Sequence, residues 1–215
     1  MLTPGKHFHL LFALLNIALL AGCVNTPGIP EDHFYRLPEF SGVTQVNLPG
    51  IESIGVDQIQ ADGLYRERSI LYVNEDNRLE LKPYHYRYWT MPPADIIQQH
   101  LIRYLRKALP GKKIVRYQAG EPVDAIIRGR IIHFERIIQQ DSSRVVTSLE
   151  LVFLRSGQLS DSVAVQEYDY LTEPGKKNLN DSLQQFGFAL TKNYEEFLST
   201  VQQFNAQGSE SFSKP

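Results

Sequence analysis

The stretch Ile126-Ile127-Arg128-Gly129-Arg130-Ile131-Ile132-His133-Phe134-Glu135-Arg136, followed after Gln140-Asp141-Ser142-Ser143 by Arg144-Val145-Val146-Thr147-Ser148-Leu149-Glu150-Leu151-Val152-Phe153-Leu154-Arg155, decides the fold. Both arms are rich in β-branched and aromatic residues, and apolar positions recur at every second residue, the period of a strand with one face in a core. A connection of four polar residues fits two long antiparallel strands, from about Asp124 to Gln139 and from about Arg144 to Arg155. Ser156-Gly157 then leads to a third arm, Asp161 to Leu171, which completes a meander ended by Pro174-Gly175.

Working outward, each flank of this meander reads as sheet followed by helix. Phe34 to Leu37 and Ile51 to Ile59 are short strands, and Ile114 to Tyr117 is another. Ser69 to Val73, the turn residues Asn74-Glu75-Asp76-Asn77 and the return arm Arg78 to Tyr88 make a hairpin. In that arm Tyr84, Tyr86 and Tyr88 fall at period two and run into Trp89, so they are expected to share one face. Pro83 marks an edge or a bulge. Pro92-Pro93 opens a helix of about 16 residues, proline being suited to a first helical position. Ile97, Leu101, Tyr104, Leu105 and Ala108 form its apolar stripe, while His100 reads as lying on its polar flank. A long second helix, from about Asn180 to Phe204, carries Leu183, Phe186, Leu190, Phe197, Val201 and Phe204, with Asn180 or Asp181 as its cap. The expected fold class is α+β: an antiparallel β-sheet with two amphipathic helices packed on one face, a two-layer sandwich.

The N-terminus is of another kind. After Lys6, an apolar run from Leu10 to Leu20 is broken only by Asn16. That is too short for a hydrocarbon core, which takes about 20 residues, and it suits the apolar region of an export signal. The run ends in Leu20-Ala21-Gly22-Cys23, and Cys23 is the chain's only cysteine. This tetrapeptide resembles the lipobox of bacterial lipoproteins. The resemblance implies cleavage between Gly22 and Cys23, a diacylglyceryl group on the Cys23 thiol and an acyl chain, such as palmitate, on the new amine. It further implies the outer membrane, because Val24 stands where an aspartate favours inner-membrane retention. Two or more acyl chains anchor stably where one holds only marginally. The expected organisation is a signal peptide at 1–22, a lipidated tether at 23–33, one domain at 34–205 and a flexible tail at 206–215. A lone cysteine leaves no partner for an intrachain disulfide.

Composition narrows the function classes. The formal net charge is −2, and basic residues are not clustered, which argues against a nucleic-acid partner. No sequence motif for a nucleotide phosphate, a zinc pair or a serine nucleophile is present. The histidines beyond the signal are His33, His85, His100 and His133. His133 and Glu135 fall two apart on one strand face, where an acid–base pair and an ordinary solvated face are alternative readings. Asp124 reads as paired with Arg128 or Arg130, or as solvated. No metal or cofactor is expected apart from the covalent lipid on Cys23. The aromatic run Tyr84, Tyr86, Tyr88 and Trp89 is either a core-facing strand or a surface that meets acyl chains or a partner protein.

The order of elements carries a wider resemblance. The lipobox, Phe34-Tyr35-Arg36-Leu37, the strand Ile54 to Ile59, the segment Arg68 to Tyr72, Tyr86 through Trp89 and the proline-led helix look like the ABC-type transport auxiliary lipoprotein family, over roughly residues 34–200. The segment between Ile59 and Trp89 is longer here than in many members. The resemblance implies a periplasmic partner of an ABC transporter that works with mammalian-cell-entry (MCE) substrate-binding proteins and moves lipids between the two membranes. Such a lipoprotein has no ATP site and catalyses nothing. It would sit on the outer membrane and dock, receive or stabilise the distal end of the MCE assembly, with a ring of identical subunits as one arrangement. Two other classes stand beside this one. A lipoprotein that itself carries an acyl chain needs an apolar cavity. An envelope enzyme needs two or more of His85, His133, Asp124 and Glu135 in one cleft.

Overall fold

The computed structural model describes residues 30–40, 42–156 and 163–211, with the backbone alone at 163, 164 and 207–211. The expected cleavage bond Gly22–Cys23 and the lipidation of Cys23 lie outside the described residues. From Asp32 onward the chain forms one compact unit.

The elements run β1 (His33–Tyr35), β2 (Ser53–Gln60), β3 (Ser69–Asn74), β4 (Asn77–Trp89), α1 (Pro93–Ala108), β5 (Lys113–Arg116), β6 (Ala125–Ile138), β7 (Ser142–Arg155), β8 (Val163–Leu171), β9 (Gly175–Lys176) and α2 (Leu179–Ser211). The α+β class holds, and β6, β7 and β8 form the antiparallel meander that the alternation indicates. The sheet as a whole is mixed, however. β2 and β3 both run parallel to β6, one after the other: Ile54 faces Ala125 and Gln60 faces Arg130, then Tyr72 faces Arg136 and Asn74 faces Ile138. β6 is therefore the spine of the sheet, with β7 along one edge and β2 and β3 sharing the other. β5 adds to β2 and β1 to β4, also in parallel. The sequence indicates the antiparallel meander and not these parallel pairings, because they join residues far apart in the chain, where alternation gives no partner.

A bulge in β6 sets which residues enter the core. Ile131 faces Leu149 and His133 faces Ser148, so Ile132 is the extra residue and the side-chain parity changes there. Before it, Ala125, Ile127, Gly129 and Ile131 are buried while Arg128 and Arg130 are exposed. Beyond it, Phe134 enters the core beside Trp89 and Phe186, with ring centroids at 5.5 and 4.5 Å.

Both helices cover this one face. α1 begins at Pro93, carries Asp95 in its first turn and Arg106 and Lys107 in its last, charges suited to the two ends of the helix dipole. Arg106 Nε and Nη2 donate to the Ile114 carbonyl at 3.1 and 2.9 Å, tying the end of α1 to β5. α2 starts one residue earlier than expected. Its cap is neither Asn180 nor Asp181 but Asn178, whose Oδ1 accepts from Asp181 N at 2.8 Å. Residues 36–40 and 42–50 form a strap over the helices: Leu37, Phe40 and Leu48 are buried, and Val46 N donates to the Ala108 carbonyl.

Candidate functional site

The return arm β4 is where the aromatic run lies, and its geometry differs from a regular strand. Ser69 pairs with Tyr88 and Leu71 with Pro83, so five residues of β4 advance against two of β3. Pro83 has no N–H to donate to the ladder, which favours a break there. Within the bulge, Tyr86 has φ = 60°, a left-handed conformation unfavourable for a bulky side chain. The bulge abolishes the expected common face. Trp89 is 1% exposed and packs edge-on against Phe186 at 5.3 Å, so it is core. Tyr84 is half-buried, its ring 4.4 Å from Tyr72 and its hydroxyl accepting from Arg136 Nη1. Tyr88 is half-buried and lies 5.7 Å from Phe34 on the neighbouring edge strand β1. Tyr86 is 42% exposed and Phe34 52%, with the Arg68 guanidinium over the Phe34 ring at 5.7 Å. What reaches the surface is a rim of Phe34, Tyr86 and Tyr88.

Behind this rim, Arg136 is a buried guanidinium satisfied by neutral oxygens. Nε donates to Ser182 Oγ at 2.8 Å, and Nη2 to the Lys177 carbonyl at 2.8 Å and Ser143 Oγ at 3.2 Å. Burial draws its pKa down, while the neighbouring Tyr84 acts in the opposite sense. Arg136 thereby links β4, the start of β7 and the first turn of α2. The sequence carries a signal for this burial, since Arg136 follows Phe134 at period two. The β6 bulge conceals it from a count begun at Ile126.

His133 and Glu135 do come together. His133 Nδ1 and Glu135 Oε1 are 3.0 Å apart, and Tyr65 Oη donates to Glu135 Oε2 at 2.8 Å. Tyr65 belongs to a 3₁₀ turn, Gly63–Arg66, in the excursion between β2 and β3. Burial, with Glu135 beside it, pushes its phenol pKa up. Asp124 corrects the expectation of an arginine partner. Its Oδ2 accepts from Glu52 N, Ser53 N and Ser53 Oγ at 2.8, 2.8 and 3.0 Å, and these bonds hold its carboxyl below the usual range. Arg128 pairs instead with Asp57 at 3.2 Å. His85 stands exposed on β4 beside Tyr86.

His100 also departs from its expected place. It is fully buried between Phe40 and Tyr194, with Nε2 3.3 Å from the Pro38 carbonyl and Nδ1 without a partner. Burial lowers its pKa to about 4. The signal was present: His100 sits three residues after Ile97 and four before Tyr104, on the apolar stripe.

Two grooves among the described residues carry charged and amide side chains in their lining. One of about 540 Å³ lies between the end of β2, the 3₁₀ turn and the start of α1, with Asp57, Gln60, Asp62, Arg66 and Asp95 in its lining. Another, of about 430 Å³, lies beside the strap and includes Arg36, Met91, Gln99 and Arg103. Among the described residues no group of three or more His, Cys, Asp or Glu side chains is placed to hold a metal. No described helix is long and apolar enough to cross a membrane.

Residues 35–185 match the family described as the ABC-type transport auxiliary lipoprotein component. The chain belongs to that family. It is accordingly a transport auxiliary lipoprotein, associated with an ABC transport system and membrane-anchored on the periplasmic side. No curated protein matches it in sequence. Among solved structures it is similar to the protein XCC0632 from Xanthomonas campestris, of the DUF330 family, at 19% identity and TM-score 0.65, over 83% of this chain and 99% of that one. It is similar also to an uncharacterized protein at 13% identity and TM-score 0.64, over 80% of this chain and 99% of that one. At such identities the likeness is one of fold.

Proposed function

We propose that this lipoprotein is the accessory component of an MCE-type intermembrane lipid transport system, held at the outer membrane by acyl chains on Cys23. There it docks or receives the distal end of the MCE assembly. The observation that carries the reading is the family match over residues 35–185, which spans the sheet and the start of α2. The fold suits a docking role: a rigid sheet with one face sealed by two helices, carried on an N-terminal tether. Catalysis has no part in this reading, and no cofactor other than the Cys23 lipid is called for. Contacts by the aromatic run narrow to Phe34, Tyr86 and Tyr88, since Trp89 and Tyr84 are engaged internally.

The alternative, in which the domain itself carries an acyl chain, requires an apolar cavity. The 540 Å³ groove includes two amides, three carboxylates and a guanidinium in its lining, and burying apolar surface against such groups forfeits their solvation. That observation favours docking over carriage. Affinity purification of the acylated protein from envelopes tests the choice: an MCE-family protein should co-purify, and stoichiometric lipid without such a protein would overturn the docking role. A ring of identical subunits predicts a mass several times that of one chain in the same preparation.

A further inference from the structure

We infer that the β1–β4 edge is a membrane-contact face, on which Phe34, Tyr86 and Tyr88 rest at the headgroup level of the bilayer that holds the Cys23 acyl chains. The inference rests on the anchored reading above and adds to it an orientation. Three observations carry it. First, β1 begins at His33, ten residues after Cys23. Fully extended, such a tether spans at most about 35 Å, so this edge is the part of the sheet that the chain delivers first to the lipid surface. Second, aromatic rings are exposed where β1 meets the end of β4, Phe34 at 52% and Tyr86 at 42%, with Tyr88 against Phe34, among the polar side chains of His33, His85 and Arg87. Tyrosine rings concentrate at the interface between hydrocarbon and water, and the apolar ring of Phe34 gains by leaving water there. Third, Arg68 lies over the outward ring of Phe34, placing a guanidinium where lipid phosphates would lie. Glu31, Asp32 and Glu67 flank the edge in sequence, so apolar and aromatic contact rather than net charge supplies the attraction.

The backbone supports the same reading. Tyr86 adopts φ = 60° in a bulge that turns it outward, where a glycine or asparagine would be the low-strain choice. A large exposed ring held in a strained conformation marks a site with a use other than packing.

The test uses the full, acylated chain. Cys23 is the only cysteine, and acylation blocks it, so Phe34→Cys and Tyr86→Cys each provide one free thiol for an environment-sensitive fluorophore. Ser199→Cys, exposed on α2, is the control. The labelled proteins are reconstituted into phosphatidylethanolamine–phosphatidylglycerol vesicles containing a headgroup-spin-labelled lipid, floated on a density gradient, and read for quenching. Floated protein with probes at 34 and 86 quenched several-fold more than the probe at 199 supports the inference. Floated protein with equal quenching at all three sites overturns it and leaves the anchor intact. Protein that fails to float overturns the anchored reading and the orientation with it.

Discussion

Acidification should loosen this domain through one residue, His100. The imidazole is enclosed by Phe40 and Tyr194 under the strap, and its pKa falls to about 4 from an ordinary value of 6.5. Above pH 6.5 it is neutral both folded and unfolded, so its contribution to stability is fully present. As pH falls below 6.5 the unfolded chain takes up a proton that the folded chain refuses, and stability is lost until the folded group titrates near pH 4. At pH 5 this difference amounts to about 2 kcal/mol, and by pH 4 to about 3 kcal/mol. With a urea slope of roughly 2 kcal/mol/M, the midpoint should drop by about 1 M between pH 7.5 and pH 5. Asp124 is held low, so its loss belongs to more acidic conditions. The assay is urea unfolding followed by far-UV circular dichroism across that range, with His100→Phe as the comparison. The variant keeps a ring of similar volume against Phe40 but cannot titrate, so its midpoint should stay nearly level. If wild type and variant lose stability in parallel, the buried imidazole is not the cause and the reasoning fails.

Three further outcomes follow from particular contacts. Gly129→Val should lower stability by about 1–3 kcal/mol, since an added Cβ would stand 2.8 Å from Ile59 Cδ1 and Leu151 Cδ2; thermal unfolding measures it. Trp89→Ala should cost about 3–5 kcal/mol by leaving a cavity against Phe134 and Phe186, whereas Tyr86→Ala should leave the melting temperature within a few degrees. Equal losses for the two would contradict the core and rim assignments. Tyr84→Phe should cost about 1–2 kcal/mol by removing an acceptor from buried Arg136, and Arg136→Met made on that background should add less than it does alone; a double-mutant cycle in urea shows whether the two are coupled.

Most of the architecture was legible because its parts are local. The alternation across residues 124–155 shows as a strand pattern since one face of the sheet is polar, as at Arg128, Arg130 and Glu150. Both helices follow from stripes at Ile97–Ala108 and Leu183–Val201, and the hairpin from Asn74 to Asn77. What escaped is non-local or depends on a single extra residue. Nothing in Ile54 or Tyr72 announces a parallel partner in β6, which for Ile54 is Ala125 and for Tyr72 is Arg136, a long way further along the chain. The bulge at Ile132 exchanges the faces, so Phe134 and Arg136 enter the core out of step with Ile127 and Ile131. The bulge after Pro83 disperses the tyrosines between Arg136, solvent and Phe34. His100 was legible by spacing and was misjudged by polarity alone.

The measurement that tests the central claim most directly is crosslinking of the native acylated lipoprotein in intact envelopes, followed by pulldown and mass spectrometry of the proteins and lipids recovered. The docking account predicts an MCE-family protein crosslinked to the domain, with lipid well below one molecule per chain beyond the anchor itself. Stoichiometric bound lipid with no MCE-family protein would contradict it and make the chain the carrier.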